Sequence, residues 1–245
     1  MAEVKNVVTN PKRTDGFGAQ FQTIIYAIIY AEQEGKTFIY TPFQQMEHNY
    51  DNDAQFLQKK EWLVNLKDSF PLNSNPHLQT ISTIDFIRYF EQHLDVCAKS
   101  HALKNIKAIF RQNKDRSKYF GEGYHIAVHV RKHNLHDNRI DGTNTPDSVY
   151  LTTIERLRQK YTSHRPFFHL YSQGKEEDFK IYTGSDFVWH LNESVEDTFI
   201  GLVLADALVT SRSSFSYTAA LLSEGSVYYM PFWHPSLPTW ISLAN

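Results

Sequence analysis

From Tyr124 onward the chain alternates short apolar strands with helical segments, and this alternation limits the folds open to it. Four segments have the composition of buried strands: "YHIAVHV", "FFHLYS", "LVTS" and "SVYYM". Helices are predicted between them, one with Thr145 as its cap and Pro146 in its first turn, and another with acidic residues in its first turn. Strands that alternate with helices in this way predict an α/β fold whose parallel sheet is covered on both faces.

The first half of the chain carries a weaker version of the same pattern. "VKNVVTN" and "TFIYTPF" are predicted strands, and residues 17–34 between them are a predicted helix that ends at Gly35. A short helix is predicted at 56–63, followed by a helical region in which Ile84, Phe90 and Cys97 share one face. The polar run "RQNKDRSKYFGEG" predicts a boundary between two lobes, 1–117 and 118–245.

Composition excludes some classes of protein and some chemistry. A net charge of −2 gives no global attraction to nucleic acid or to an anionic membrane, so any anion site is expected to be local. The single cysteine, Cys97, excludes an intrachain disulfide and is predicted to be a buried thiol. Since no apolar run has the length of a membrane span or the form of a signal peptide, we expect a cytoplasmic location.

Ligands of parallel α/β sheets bind beyond the carboxyl ends of the strands, and polar residues follow three of the predicted strands. The first such segment is "TDGFGAQFQ", in which Gly16, Phe17 and Gly18 lie between a strand and a helix. Glycines there permit a tight turn, and the N–H groups of the helix start favour an anion. The alternative is a glycine turn that only starts the helix.

The second segment, "HIAVHVRKHNLH", ends a predicted strand with a group of cationic and imidazole side chains. His129 and Arg131 are two residues apart and are therefore predicted to point to the same face. The planar fork of an arginine matches the oxygens of a phosphate. Two alternatives stay open: a metal site built from His129, His133 and His136, or solvated loop histidines without a ligand.

The third segment, "VTSRSSFSYTAALLS", places several serines between a strand and a helix: Ser211, Ser213, Ser214 and Ser216. Hydroxyls and N–H groups at a helix start can hold a phosphate, whereas one serine is enough for a plain helix cap. The three segments together predict a diphosphate site at one edge of a parallel sheet. Stabilising the charge on a departing nucleoside diphosphate would drive transfer of the group attached to it.

The segments "DGFGAQFQ", "VHVRKHN" and "ADALVTSRSSFSYTAALL" resemble, in this order, motifs of the GDP-fucose-dependent fucosyltransferases. This superfamily contains the α1,2, α1,6, protein O- and nodulation fucosyltransferases. The resemblance implies a GT-B-like α/β fold of two Rossmann-type lobes, with the nucleotide on the C-terminal lobe. It also implies an inverting, metal-independent transfer of fucose from GDP-fucose to a glycan hydroxyl, without any other cofactor.

The resemblance also implies roles for individual residues. Arg131 would bind the β-phosphate and help GDP to leave, and His129 would line the same pocket. Further residues would contact the phosphates or flank the nucleotide: Ser213, Ser214 and Phe215. Asp197 would accept hydrogen bonds from guanine, or, as an alternative, only complement the dipole of its helix. Asp15 would act as the base for the acceptor hydroxyl, or else form a local turn.

The sequence departs from the superfamily pattern at two points. Ala19 stands where the family has asparagine in its first glycine motif, and His133 stands where many members have glycine. These changes leave two alternatives to a fucosyltransferase. One is a glycosyltransferase with another nucleotide-sugar donor, and the other is a nucleotide- or glycan-binding module without catalysis.

Overall fold

A computed structural model describes residues 6–75, 78, 80–132 and 145–243 of the chain. It divides into two compact units, Met1–Lys114 and Asp115–Asn245. All the strand pairs described are parallel. The predicted α/β class, with parallel sheets flanked by helices, is confirmed.

The first unit contains two short strands and five helices in its described part. In chain order they are β1 (Val7–Thr9), α1 (Phe17–Gln33), β2 (Thr37–Ile39), α2 (Phe56–Val64), α3 (Thr83–Gln92), α4 (Leu94–Ala98) and α5 (His101–Arg111). The strand β1 pairs with β2, and α1 is buried along most of its length because it packs against both strands and against α3 and α5. A stacked pair of Tyr26 and Phe90, with ring centroids 4.0 Å apart, joins α1 to α3.

The second unit is built on a six-stranded parallel sheet. Its elements are β3 (His125–His129), α6 (Asp147–Lys160), β4 (Phe167–Ser172), β5 (Phe187–Leu191), α7 (Val195–Leu204), β6 (Ala207–Val209), α8 (Ser214–Leu222), β7 (Ser226–Tyr229) and β8 (Ile241–Ser242). The strand order is β5-β4-β3-β6-β7-β8. The strands β3 and β6 are therefore central neighbours, and their carboxyl ends lie side by side.

The two faces of β3 have different partners because successive side chains of a strand alternate. Ile126 and Val128 belong to an apolar core that includes Ile154 and Leu157 of α6. His125 and His129 lie on the opposite face, and α7 also packs against β3. Polar histidine side chains therefore occupy one face of the strand, while the other face packs into the apolar core.

Several local predictions were wrong. The helical region after residue 82 breaks at His93, which shifts the helical phase, so Phe86, Phe90 and Cys97 are buried while Ile84 is 66% exposed. Thr145 does not cap α6: Pro146 occupies the N-cap position, and no side chain caps the helix. The strands β5 and β8 were not predicted. In the part of the chain that the structure describes, no helix combines the length and apolarity needed to cross a membrane.

Candidate functional site

The carboxyl ends of β3 and β6 bring two of the sequence-predicted segments together. Arg131 follows β3, and Ser211 and Ser213 follow β6. The Arg131 guanidinium donates from Nη1 to the Oγ of Ser213 across 3.2 Å. A contact between residues 82 positions apart shows that these two segments form one local structure.

Ser213 is the N-cap of α8. Its backbone is extended, and its Oγ accepts a hydrogen bond from the N–H of Phe215 at 3.2 Å. Ser214 begins the helix and is partly exposed, whereas Ser213 is only 2% exposed. Ser213 therefore joins Arg131 to the helix start from inside the protein, whereas Arg131 and Ser214 are both partly exposed.

His129 is fixed by the first serine after β6. Its Nδ1 lies 2.8 Å from the Oγ of Ser211, which in turn lies 3.2 Å from the Oγ of Ser216. Burial, and secondarily the neighbouring Arg131 guanidinium, lowers the pKa of His129 to about 3. The imidazole is therefore neutral at physiological pH, and Arg131 supplies the positive charge beside it.

Aromatic rings connect this edge to α7. The ring of Phe215 lies 5.6 Å from the His129 ring and 5.2 Å, edge to face, from that of Phe199. Both phenylalanines limit how the first turn of α8 can move. Phe199 was not predicted as a site residue, because in sequence it is one apolar position among many in α7.

A second group of polar residues follows β3 directly. The Lys132 ammonium lies 2.6 Å from both carboxylate oxygens of Asp147, and the hydroxyl of buried Tyr182 donates to the same carboxylate at 2.6 Å. This contact ties the end of β3 to the start of α6. In the loop between β6 and α8, Arg212 adds another guanidinium between Ser211 and Ser213. None of these four residues is among the predicted site residues.

Asp197 lies in the first turn of α7. Ser194, the N-cap residue, accepts from the Asp197 N–H at 3.0 Å and donates to the Asp197 carboxylate at 2.7 Å. The hydroxyl of Tyr119 donates to the other carboxylate oxygen at 3.3 Å. The side chain is exposed. It thus supports its own helix start, and it remains on the surface where a ligand would meet it.

The predicted glycine turn lies in the first unit and follows a strand of the two-stranded sheet, so the prediction that all three segments share one sheet edge is wrong. Gly16 is the N-cap of α1, and a side chain there would meet the His48 imidazole at 3.1 Å. Phe17 and Gly18 are buried at the helix start. Arg13 binds both carboxylate oxygens of Asp15, one of them through Nε at 2.9 Å. Any role of Asp15 as a base must include release from this ion pair.

The histidines of the metal alternative do not all lie in the described residues. His129 is bound to Ser211, whereas His133 and His136 belong to residues 133–144, outside the described part. Among the described residues, no group of three or more His, Cys, Asp or Glu side chains is placed to hold a metal ion.

No protein-family model and no curated protein matches the chain. Among solved structures, fucosyltransferase NodZ from Bradyrhizobium aligns over 89% of this chain and 93% of its own, with 13% identity and a TM-score of 0.47. NodZ alpha-1,6-fucosyltransferase soaked with GDP-fucose aligns over 89% of this chain and 92% of its own, with 13% identity and a TM-score of 0.47. E. coli heptosyltransferase WaaC with ADP-2-deoxy-2-fluoro heptose aligns over 97% of this chain and 92% of its own, with 13% identity and a TM-score of 0.49. Likeness at this level assigns the chain to no family.

Proposed function

We propose that this protein is an inverting, metal-independent glycosyltransferase that moves fucose from GDP-fucose to a hydroxyl group of a glycan. One observation carries the proposal: the Arg131 guanidinium is joined to the N-cap serine of α8 at the carboxyl edge of a parallel sheet. Helix starts and arginine forks are both used to bind phosphate groups, and here they occupy one place.

The chemistry follows from this anion site. The acceptor hydroxyl attacks the anomeric carbon of the sugar, and the bond from that carbon to the β-phosphate oxygen breaks. GDP leaves with the electron pair of this bond, and the hydroxyl proton passes to a base. Arg131 and the N–H groups at the start of α8 stabilise the negative charge that builds on the departing diphosphate.

The neutral state of His129 serves this arrangement. A neutral imidazole beside Arg131 adds no second charge, so the bound diphosphate is not held so tightly that it cannot leave. Its hydrogen bond with Ser211 fixes the ring next to Phe215. In the proposed complex these two rings line the nucleotide pocket, while Ser214 and the first turn of α8 meet the phosphates.

Nucleotide binding tests the proposal most directly. The purified protein is heated with GDP, ADP and UDP, and release of GDP from GDP-fucose is followed with a panel of glycan acceptors. We expect stabilisation by GDP above the other two, and GDP release that depends on an acceptor. Stabilisation by ADP or UDP instead would favour the alternative of another nucleotide-sugar donor on the same phosphate site.

One observation favours the second candidate, a glycan-binding module without catalysis. Trp233 is 64% exposed, and its ring is stacked on Phe232 with centroids 4.4 Å apart. The loop that carries it is held by the Tyr217 hydroxyl, which donates to the carbonyl of Pro235 at 3.0 Å. Exposed, fixed indole rings bind the apolar faces of sugars by stacking.

Substitution of two tryptophans distinguishes the binding module from the enzyme. Trp62, in the first unit, is 57% exposed and serves as the matched control. If the module interpretation is right, glycans quench tryptophan fluorescence in the Trp62→Ala variant but not in Trp233→Ala, and no acceptor releases GDP. Acceptor-dependent release of GDP contradicts it.

A further inference from the structure

Three histidines on neighbouring strands form a continuous hydrogen-bonded chain. The Nδ1 of His125, on β3, lies 2.9 Å from the Nε2 of His169, on β4. The Nδ1 of His169 lies 2.9 Å from the Nε2 of His190, on β5. Because the strand pairing offsets these positions, the chain runs diagonally across one face of the sheet.

Both ends of this histidine chain meet acceptors. The Nε2 of His125 lies 3.1 Å from the carbonyl oxygen of Gly121, which has no proton to give. The Nδ1 of His190 lies 2.7 Å from a carboxylate oxygen of Glu193. An ionised carboxylate also only accepts. Each terminal nitrogen must therefore carry its own proton if the terminal bonds are to form.

The number of protons that these hydrogen bonds require fixes the charge of the histidine chain. Four hydrogen bonds need four N–H protons, whereas three neutral imidazoles carry only three. We propose that the three imidazoles and Glu193 form a binding site for a single proton, which completes the hydrogen-bonded chain and balances the carboxylate charge. Without this proton, two bare nitrogen atoms face each other at one of the internal contacts.

The environment places the proton at the His190 end. Burial lowers the pKa of His125, and burial together with the neighbouring histidines lowers that of His169 to about 3. Both are therefore neutral and carry their proton on Nε2. His190 then carries protons on both nitrogens and donates to His169 and to Glu193, and its ring is stacked on Tyr171 at 4.3 Å.

The charged groups around the histidine chain are consistent with this assignment. Arg116 forms an ion pair with Asp206 at 2.6 Å near the His125 end, and the same carboxylate accepts from the His125 backbone N–H at 2.7 Å. On α7, Asp197 accepts from Tyr119. Among these described neighbours, Glu193 is the residue whose carboxylate contacts an imidazole of the histidine chain.

The proton makes folding depend on pH above neutrality. Unfolded histidine has a pKa of about 6.5, so above neutral pH the unfolded protein holds almost none of this proton, whereas the proposed site keeps it in the folded protein. Folding therefore takes up a proton, and the unfolding equilibrium constant should rise by up to about tenfold per pH unit until the folded protein releases it. The stabilisation is fully present below the unfolded pKa and is lost as the pH rises.

Glu193→Gln provides a sharp test. The glutamine amide can donate to the Nδ1 of His190, so the hydrogen-bonded chain closes with three neutral imidazoles and needs no extra proton. Unfolding by urea is measured from pH 7 to pH 9 for this variant and for Glu177→Gln, an exposed site with the same change in charge. We expect Glu177→Gln to keep the pH dependence of the native protein. In Glu193→Gln, the rise of the unfolding equilibrium constant with pH should be smaller by up to about tenfold per pH unit.

Histidine NMR gives an answer even if that variant does not fold. In the native protein at pH 7, the nitrogen signals of His190 should be those of a doubly protonated ring. Those of His125 and His169 should be those of neutral rings protonated on Nε2. Three singly protonated rings, or a Glu193→Gln variant with the same pH dependence as Glu177→Gln, would overturn the proposal.

Discussion

At the scale of single residues, the proposed chemistry depends on the geometry of one guanidinium. Arg131→Lys keeps the positive charge but cannot present a planar fork to the diphosphate, so the charge that builds in the transition state is stabilised less. We expect kcat for GDP release to fall by about 10²–10³ with little change in stability. Arg88→Lys, at a site that is exposed in the first unit, is the control. A variant of Arg131 with nearly native kcat would contradict the phosphate role.

Gly201 supports the histidine chain through Tyr171. A Cβ at this position of α7 would overlap with the Oη of buried Tyr171, whose ring is stacked on His190. Gly201→Ala should therefore destabilise the protein by about 1–3 kcal/mol, the usual range for overpacking in a core. Gly121→Ala is the control, because a Cβ there meets no atom within 4 Å. Equal stability of both variants in urea unfolding would show that Tyr171 can move freely.

At the scale of elements, the start of α7 distinguishes two interpretations of Asp197. If the carboxylate binds guanine, Asp197→Ala weakens GDP by about 1.5–3 kcal/mol and leaves ADP and UDP almost unchanged. If it only supports the helix, both Asp197→Ala and Ser194→Ala lower stability, because both remove the hydrogen bond from the Ser194 Oγ to the Asp197 carboxylate, and Ser194→Ala lowers it further because the Asp197 N–H also loses its cap. Titration calorimetry with the three nucleotides, beside urea unfolding, gives both quantities.

Buried neutral histidines of the central strands predict the response to acid. The pKa of His169 is about 3 in the folded protein and about 6.5 when unfolded, so between these values the unfolded state binds more protons. The contribution of this histidine to stability is therefore retained above pH 6.5 and falls by about 1.4 kcal/mol per pH unit as the pH drops below that value. His169→Gln should reduce the slope between pH 5 and 6.5, while His164→Gln, at an exposed site, should not.

Periodicity explains which elements could be predicted. The alternation after residue 124 gave the α/β class because buried strands and amphipathic helices have different repeats. β5 was missed because it lies at the edge of the sheet, and its alternate positions are only partly buried. Thr145 was taken for a cap because the pattern resembles one, whereas the residue is buried and Pro146 holds the N-cap position.

Contacts distant in sequence explain what could not be predicted in the sites. Arg131 and the serine loop were each recognisable, because each segment ends a strand with unusual polar residues. Their pairing, and the bond between His129 and Ser211, depend on β3 lying beside β6. The histidine chain depends on the registers of three strands, 44 and 21 residues apart at its two contacts. No local pattern encodes such a register.

At the scale of the whole molecule, the proposed site predicts which ligands stabilise the protein. A ligand present at 100 times its Kd adds about 2.7 kcal/mol to the unfolding free energy of the structure that binds it. Since the proposed phosphate site lies within Asp115–Asn245, GDP should stabilise that unit, and hydrogen exchange should slow in β3, β6 and α8. Protection by GDP that spares these three elements would place the nucleotide elsewhere.

Removing divalent metal ions is a second test of the proposed phosphate site. In the proposed mechanism Arg131 and the start of α8 supply positive charge from the protein itself, so no metal ion would be needed to neutralise the departing diphosphate. EDTA should therefore change neither the GDP-induced stabilisation nor the rate of GDP release, and added Mn²⁺ or Zn²⁺ should not increase them. If chelation abolishes turnover and one of these ions restores it, histidine substitution decides what holds the metal. Loss of that restored activity in His133→Ala and His136→Ala, with Arg131→Lys nearly normal, would replace the arginine mechanism with a metal site.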